Sequence, residues 1–337
     1  MDTFTRLITD WYRQNKRNLP WRHTSDPYLI WISEIILQQT RVDQGMKYFL
    51  KFKKNYPTIT SLANASEDSI LNDWQGLGYY SRARNLHYTA KFIRDNYGGI
   101  FPSVYKEIIA LKGIGEYTAA AISSFAFGQN YAVVDGNVFR LLSRVFNVDM
   151  AIDTNEGKKY FQSLANELID PTNPAIHNQA IMEVGALVCT PKKPNCLNCP
   201  LSHMCLAKAN NTIHALPVKA KKTKATERYF HFLIFQNNTE IVIDKRIDKD
   251  IWQHLYQFPL VESDSFATPN VDFFKLNHTV SKEVNHLLSH QKIRAKFYHF
   301  SAIPEELKDT WIKIPKGTIQ NFPLPRIIDR YLENNEY

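Results

Sequence analysis

The sequence predicts a mainly helical domain of about 210 residues followed by a smaller α/β domain. Three observations carry this reading. From about residue 5 to residue 210, apolar residues recur at three- and four-residue spacing, with short Gly or Pro punctuation. Residues 213–227, IHALPVKAKKTKATE, hold four lysines, a proline and few apolar residues, the composition of a solvated linker. The following run, RYFHFLIFQNNTEIVI, reads as two strands flanking a polar turn at Asn237 and Asn238, and more short β-like runs follow, one through Phe297–Phe300. A length of 337 residues agrees with two domains.

Within the first domain the periodicity predicts helices near 28–43, 44–55, 66–74, 80–96, 103–111, 116–127, 137–145, 155–168 and 174–188. No internal repeat or low-complexity tract interrupts them. Composition excludes other classes. With 44% apolar and 22% charged residues, the chain is neither mainly disordered, nor a collagen, nor a coiled coil. A net charge of +8 favours an anionic partner. The N-terminus has no apolar run long enough for a signal peptide, and no stretch approaches ~18 apolar residues. The expected setting is a reducing, cytoplasmic one with no membrane partner.

All four cysteines lie between Cys189 and Cys205, spaced C-x6-C-x2-C-x5-C. A disulfide framework would scatter them along a secreted chain. Four thiolates in so short a loop, just after a helix ending near Leu187, can converge on one metal centre. Zinc favours two similar C-x2-C knuckles, and a [4Fe–4S] cube also takes four thiolates. Spacing leaves the two metals comparable.

The run LKGIGEYTAAA places Gly113 and Gly115 between two amphipathic segments, about 103–127. Glycine permits a left-handed turn, and the free N–H groups of the following helix can face a phosphate. By itself this is also an ordinary helix–helix turn. Twenty residues after Gly115 stands Asp135, in AVVDGNVFRLLSR, between an apolar strand-like run and a helix start. It is either an N-cap or a partly desolvated catalytic carboxylate.

Glu34 lies in YLIWISEIILQQTRV, where Trp31, Glu34, Gln38 and Arg41 fall on one face of a continuous helix. A single Glu is usually on a solvated face. Trp31, Ile32 and Ile35 make this setting apolar, and burial would keep the carboxyl protonated near neutrality. A protonated Glu with an ionised Asp is the pairing that cleaves glycosidic bonds.

SEIILQQTRV, WQGLGYYSRARNL, LKGIGEYTA, VVDGNV and the four-cysteine loop, in that order, resemble the helix–hairpin–helix DNA glycosylases with an iron–sulfur cluster, and among them the MutY-type adenine glycosylases. The likeness runs from about Trp11 to Leu206, with a weaker match beyond. It implies a helix–hairpin–helix glycosylase fold: a six-helix module and a cluster module over 1–212, a linker over 213–227, and a C-terminal α/β Nudix-like lesion-recognition domain over 228–337. It also implies one [4Fe–4S] cluster on Cys189, Cys196, Cys199 and Cys205. The implied activity is base-excision repair by a monomer acting on double-stranded DNA, in the nucleoid if the host is bacterial. Adenine mispaired with 8-oxoguanine or guanine would be removed.

Endonuclease III-like enzymes resemble the same pattern but carry a lysine two residues after the second hairpin glycine. Here that residue is Tyr117, which cannot form a Schiff base, so water should be the final nucleophile. Lys112 is a weaker candidate amine. An endonuclease III-like lyase stays as the enzymatic alternative, and a catalytically silent DNA-binding protein as the non-enzymatic one.

The resemblance also implies roles. Glu34 protonates N7 of the extruded adenine. Asp135 stabilises the sugar cation, by charge or through a transient adduct. Tyr117 and Asn137 orient them. Trp21, Arg22, Leu37 and Gln179 match the adenine-pocket positions. Gln39, Thr40 and Tyr79 match those that wedge the duplex and face 8-oxoguanine. Arg82 and Arg84 are candidate phosphate contacts, and Gly113 and Gly115 carry the phosphate-binding turn. IWQHLYQFPLVE is the best local match to the Nudix-like domain, but the R-E-x-x-E-E run of a Nudix hydrolase is missing. The family's Phe-Ser-His lesion loop corresponds to Leu288, Ser289 and His290. Leucine can wedge between bases but loses aromatic stacking.

Overall fold

The computed structural model describes residues 3–220, 225–267, 269 and 272–335; residues 221–224 of the expected linker lie outside these. Along the chain come α1 (Thr3–Asn15), α2 (Pro27–Leu37), α3 (Val42–Asn55), α4 (Ile59–Asn64), α5 (Glu67–Asp73), α6 (Ser81–Tyr97), α7 (Tyr105–Ala110), α8 (Glu116–Phe127), α9 (Gly136–Val145), α10 (Asn155–Leu168), α11 (Pro174–Leu187) and α12 (Leu206–Ala209). The strands follow: β1 (Thr226–Phe235), β2 (Glu240–Lys245), β3 (Tyr256–Gln257), β4 (Leu260–Ser263), β5 (Thr279–Val280), β6 (Val284–Leu287), β7 (Gln291–Phe300) and β8 (Trp311–Pro315), before α13 (Arg326–Glu333). No helix among the described residues is long and apolar enough to cross a membrane.

Three local expectations change. The helix expected over 28–43 is broken: α2 ends at Leu37 and α3 begins at Val42, because Gln39 takes a left-handed φ of 55°, which stops the i→i−4 ladder. Gln38 and Arg41 are therefore caps and do not share a helical face with Trp31 and Glu34. Next, the apolar run before Asp135 forms no strand. The backbone N–H of Val133 goes to the Asn178 side chain at 3.0 Å instead. Lastly, α1 and α4 stand where no helix was singled out.

Contacts divide the chain into two compact units that do not follow sequence order: Met1–Ala63 with Tyr88–Lys222, and Asn64–His87 with Thr223–Tyr337. In the helical unit α2 is buried all round, as a central helix must be. Asp26 caps it by accepting from the Tyr28 N–H, and Pro27 occupies the first turn. The small residues Ala119, Ala120 and Ala121 line α8, which packs on α2. A core of Phe4, Ile8, Leu141, Leu142, Phe161, Val184 and Leu201 joins α1, α9, α10 and α11 to the cysteine loop.

In the other unit β1 runs parallel to β7, from Thr226 opposite Gln291 to Phe235 opposite Phe300, and antiparallel to β4. β2 turns away from β1 after the Asn237 turn and pairs with β3 and β8 in a second sheet. The sequence places Asn64–His87 with the helices, yet side chains tie this segment to the strands. Glu67 meets His254 at 2.6 Å, Asp68 meets Lys245 at 3.0 Å, and the Tyr80 hydroxyl donates to the Leu324 carbonyl at 3.2 Å.

Candidate active site

The hairpin between α7 and α8 turns at Gly113, whose φ of 82° suits glycine, and Gly115 caps α8. This sets Tyr117 in the first turn of α8, facing α2. Its hydroxyl donates to Glu34 Oε2 at 2.7 Å. Glu34 is 6% exposed. Burial raises its pKa to about 7; the Tyr117 bond opposes the rise, and the Asp135 charge adds to it. Burial likewise holds the Tyr117 phenol well above its usual range, so it stays a donor.

Asp135 is both the N-cap of α9 and a neighbour of Glu34. Its Oδ1 accepts from the N–H groups of Asn137 and Val138, each at 2.8 Å, and its Oδ2 from the Asn137 amide at 2.7 Å. Burial pushes this carboxyl upward, and the three donors oppose that by favouring the ionised form. Arg140 holds the Asn137 side chain at 2.8 Å and donates to the Gly185 and Cys189 carbonyls. The two readings of Asp135 as cap and as site carboxylate thus describe one geometry.

Two cavities share these groups. An inner one of about 180 Å³ is lined by Trp21, Arg22, Glu34, Leu37, Thr40, Tyr117, Asp135, Asn137 and Gln179, among others. An outer groove of about 740 Å³ runs past Glu34, Leu37, Gln39, Thr40, Gly115, Tyr117, Asp135 and Asn137. Gly113 shapes the turn but does not line either cavity. No lysine is among the described residues lining the two. Lys112 lies over the Tyr88 ring, 4.3 Å from its centroid.

Glu183 was missed in the sequence reading. It lines the inner cavity, 1% exposed, and accepts from Arg22 at 2.6 and 2.9 Å and from Arg17 at 2.7 and 3.0 Å. Burial would raise its pKa, but the Arg22 and Arg17 hydrogen bonds prevail and lower it to about 2. The signal was available: a carboxylate inside the apolar run IMEVGAL, four residues after Gln179 and so on the same face of α11.

The remaining candidates belong to the other unit. A pocket of about 370 Å³ there is lined by Tyr79, Tyr80, Arg84, Trp252, Leu288, Ser289 and His290, among others. The Tyr79 and Ser289 hydroxyls are hydrogen-bonded to each other. Tyr79, like Gln39, has a left-handed φ, here 49°. Arg82 lies over the Trp74 and Tyr79 rings and donates to the Leu77 and Gly78 carbonyls, while Arg84 donates to the Gln253 carbonyl at 2.7 Å.

Cys189, Cys196, Cys199 and Cys205 line one small cavity beside Leu141 and Arg144. All four are free thiols. Arg144 donates to the Cys189 sulfur at 3.4 Å and to the Thr190 and Pro191 carbonyls, and the Cys205 thiol donates to the Arg144 carbonyl at 3.5 Å. Among the described residues no three His, Cys, Asp or Glu groups are gathered to hold a single ion. Four thiols ringing a cavity, with a guanidinium donating to the Cys189 sulfur, fit a [4Fe–4S] cube better than one tetrahedral zinc.

Residues 32–170 match the family described as HhH-GPD superfamily base excision DNA repair protein, 189–205 the iron-sulfur binding domain of endonuclease III, and 230–334 a NUDIX domain. The adenine DNA glycosylase of Buchnera aphidicola subsp. Baizongia pistaciae (strain Bp) is 38% identical over 94% of this chain and 88% of its own length. That of subsp. Acyrthosiphon pisum (strain APS) is 32% identical over 98% and 97%. The solved structure of a thermostable thymine-DNA glycosylase superposes with a TM-score of 0.57 at 32% identity, over 61% of this chain and 95% of that one. The catalytic fold, the four-cysteine loop and the full-length similarity lead to one conclusion: the chain belongs to the adenine DNA glycosylase family, whose members carry a [4Fe–4S] cluster.

Proposed function

We propose that this protein is a monofunctional, monomeric adenine DNA glycosylase that hydrolyses the N-glycosidic bond of adenine paired with 8-oxoguanine or guanine in double-stranded DNA. The observation that carries the reading is the pair of carboxyl groups in one cavity, Glu34 raised to about 7 and Asp135 held by three N–H donors. Their environments suit an acid and an anion side by side.

The extruded base enters the inner cavity between Trp21, Leu37, Arg22 and Gln179. Glu34 donates its proton to N7. The C1′–N9 bond breaks, and its electron pair leaves with the adenine. Asp135, oriented by Asn137, stabilises the sugar cation at C1′. Water then bonds to C1′ and gives up a proton to the Glu34 carboxylate, which restores the acid. Tyr117 holds Glu34 throughout. No lysine among the described residues lines either cavity, which favours water over a Schiff base. Gln39 and Thr40 flank the groove on the DNA side, and the hairpin at Gly113 and Gly115 meets backbone phosphate.

When bound, the cluster supplies a rigid covalent tie across the loop from Cys189 to Cys205. Tyr79, Leu288, Ser289 and His290 form the reader of the opposite 8-oxoguanine, and Arg82 and Arg84 support Tyr79 and its surroundings. The workplace is chromosomal DNA, which in a bacterial cell is the nucleoid. A single-turnover assay on an 8-oxoguanine:adenine duplex tests the reading. Free adenine without strand cleavage is expected; tight binding without release would indicate a silent DNA-binding protein.

A further inference from the structure

Arg84 is the residue type of a phosphate contact, but it directs its donors into the protein. Its Nη1 donates to the Gln253 carbonyl at 2.7 Å and its Nη2 to the Gln253 side-chain oxygen at 3.3 Å. Gln253 lies between two non-glycine residues in the left-handed region, Trp252 with a φ of 58° and His254 with a φ of 67°. Bulky residues hold that conformation only where their surroundings impose it. Arg246 braces the turn from the strand side: its Nε donates to the Ile251 carbonyl at 3.0 Å, and its own carbonyl accepts from the His254 N–H at 2.7 Å. Glu67 holds the His254 ring at 2.6 Å. Arg84 grips the middle of the turn, at Gln253, from the α6 side.

The turn carries Trp252, whose ring packs edge-on against His286 with centroids 5.9 Å apart. His286 lies on β6, directly before the Leu288–His290 turn. Trp252, Arg84, Tyr79, Ser289 and His290 all line the pocket of about 370 Å³. Arg84 also follows Tyr79 closely in the chain, and its N–H donates to the Tyr80 carbonyl at 3.1 Å. We propose that Arg84 is a specificity-determining positioning residue and not a phosphate contact. By holding the Gln253 carbonyl it fixes the Trp252 turn against the segment that carries Tyr79, and so keeps the two sides of the pocket in register. Arg84 acts through the turn and need not touch a base. The inference rests on the reading of Tyr79, Ser289 and His290 as the reader of 8-oxoguanine.

The test uses the intact chain and two readouts. Single-turnover excision of adenine opposite 8-oxoguanine and opposite guanine gives a preference ratio, and duplex affinity at several salt concentrations gives a salt slope. Arg84→Lys keeps the charge but lacks the planar fork that meets both Gln253 oxygens. Arg84→Met keeps the stem and loses both charge and donors. Each should lower the ratio about three- to tenfold, up to the loss of one base-edge contact. Each should leave the salt slope within about 0.3 of the parent's, because no phosphate contact is lost. A phosphate contact predicts the reverse, and a slope smaller by about one in Arg84→Met would overturn the proposal. Equal losses on both duplexes would do the same, since a merely structural arginine predicts them. Adding Arg84→Met to Ser289→Ala with His290→Ala should change the ratio less than about twofold, because no reader is left to position; a full further loss there counts against the idea. If Arg84→Met does not fold, Arg84→Lys decides alone, and an unchanged ratio sinks it. A parent protein that excises adenine with no preference between the two partners would instead refute the lesion-reader reading beneath it.

Discussion

Tyr117 and Glu34, 83 positions apart in the chain, are joined by one 2.7 Å hydrogen bond in which the phenol donates. The bond favours the ionised carboxylate and so works against the burial that keeps Glu34 protonated. It tempers the acid and also aims it.

From this follows a pH dependence. In the proposed mechanism Glu34 acts in its protonated form, so the excision rate should fall as pH rises through about 7. Tyr117→Phe removes the contact that lowers the pKa and should move this alkaline limb to higher pH, even as the rate drops. Single-turnover rates between pH 5 and 9 check both. Stability carries the same sign. Between about 4.5 and about 7 the folded chain holds a proton that the unfolded chain has lost, so stability from this group declines with rising pH. Glu34→Gln has no such loss, and its Tm should gain on that of the parent from pH 5 to pH 8.

Asp135→Asn should lower adenine release by about 10²-fold or more, because an amide cannot stabilise the sugar cation by charge. Asn is also a good N-cap, so α9 should persist. DNA binding, read by fluorescence anisotropy, should stay within a few-fold. Near-normal turnover would remove Asp135 from the chemistry.

Gly185 is a packing point with a consequence for the site. A Cβ built there would stand 2.8 Å from the Asn137 carbonyl oxygen and 2.9 Å from the Asn137 Cβ. Both atoms belong to the residue that orients Asp135. Gly185→Ala should cost about 1–3 kcal/mol of stability by overpacking, measurable as a lower denaturant midpoint. It should also slow excision under conditions where the variant is fully folded. Wild-type rates in that folded fraction would show that Asn137 tolerates the shift.

Protein purified without oxygen should carry about four irons per chain and absorb broadly in the visible. Cys199→Ser should reduce soluble yield and DNA affinity more than it changes the excision rate of the surviving fraction. The catalytic candidates lie on α2, α8 and α9, away from the loop in sequence. Zinc in place of iron would refute the cofactor assignment.

Ser289→Ala with His290→Ala should keep adenine excision but reduce the preference for 8-oxoguanine over guanine opposite it. A lost base-edge contact is worth about 1–3 kcal/mol, so the ratio should fall about tenfold or more. The intact chain is the right setting, because Asn64–His87 forms one compact unit with the C-terminal strands. Cutting those strands away would also strip Arg84 of its Gln253 partner and Tyr79 of Ser289. A ratio equal to the parent's would shift lesion reading to Gln39 and Thr40.

Much of this molecule is local enough to be read from its order of residues. Helical periodicity, the glycine turn at Gly113, the Asp135 cap and the cysteine spacing each involve a few neighbouring positions, and backbone sterics act at that range. Motif order carried the family as well. Other features arise only when distant segments meet. The break of α2 at Gln39 depends on a left-handed residue that periodicity does not signal. Glu183 becomes a saturated anion only because Arg17 and Arg22, more than 160 positions earlier, close on it. Asn64–His87 reads as more of the helical domain, yet Glu67, Asp68 and Tyr80 find their partners among residues 245–324. Those pairings are set by burial and by hydrogen bonds across long loops, and no window of sequence contains both partners.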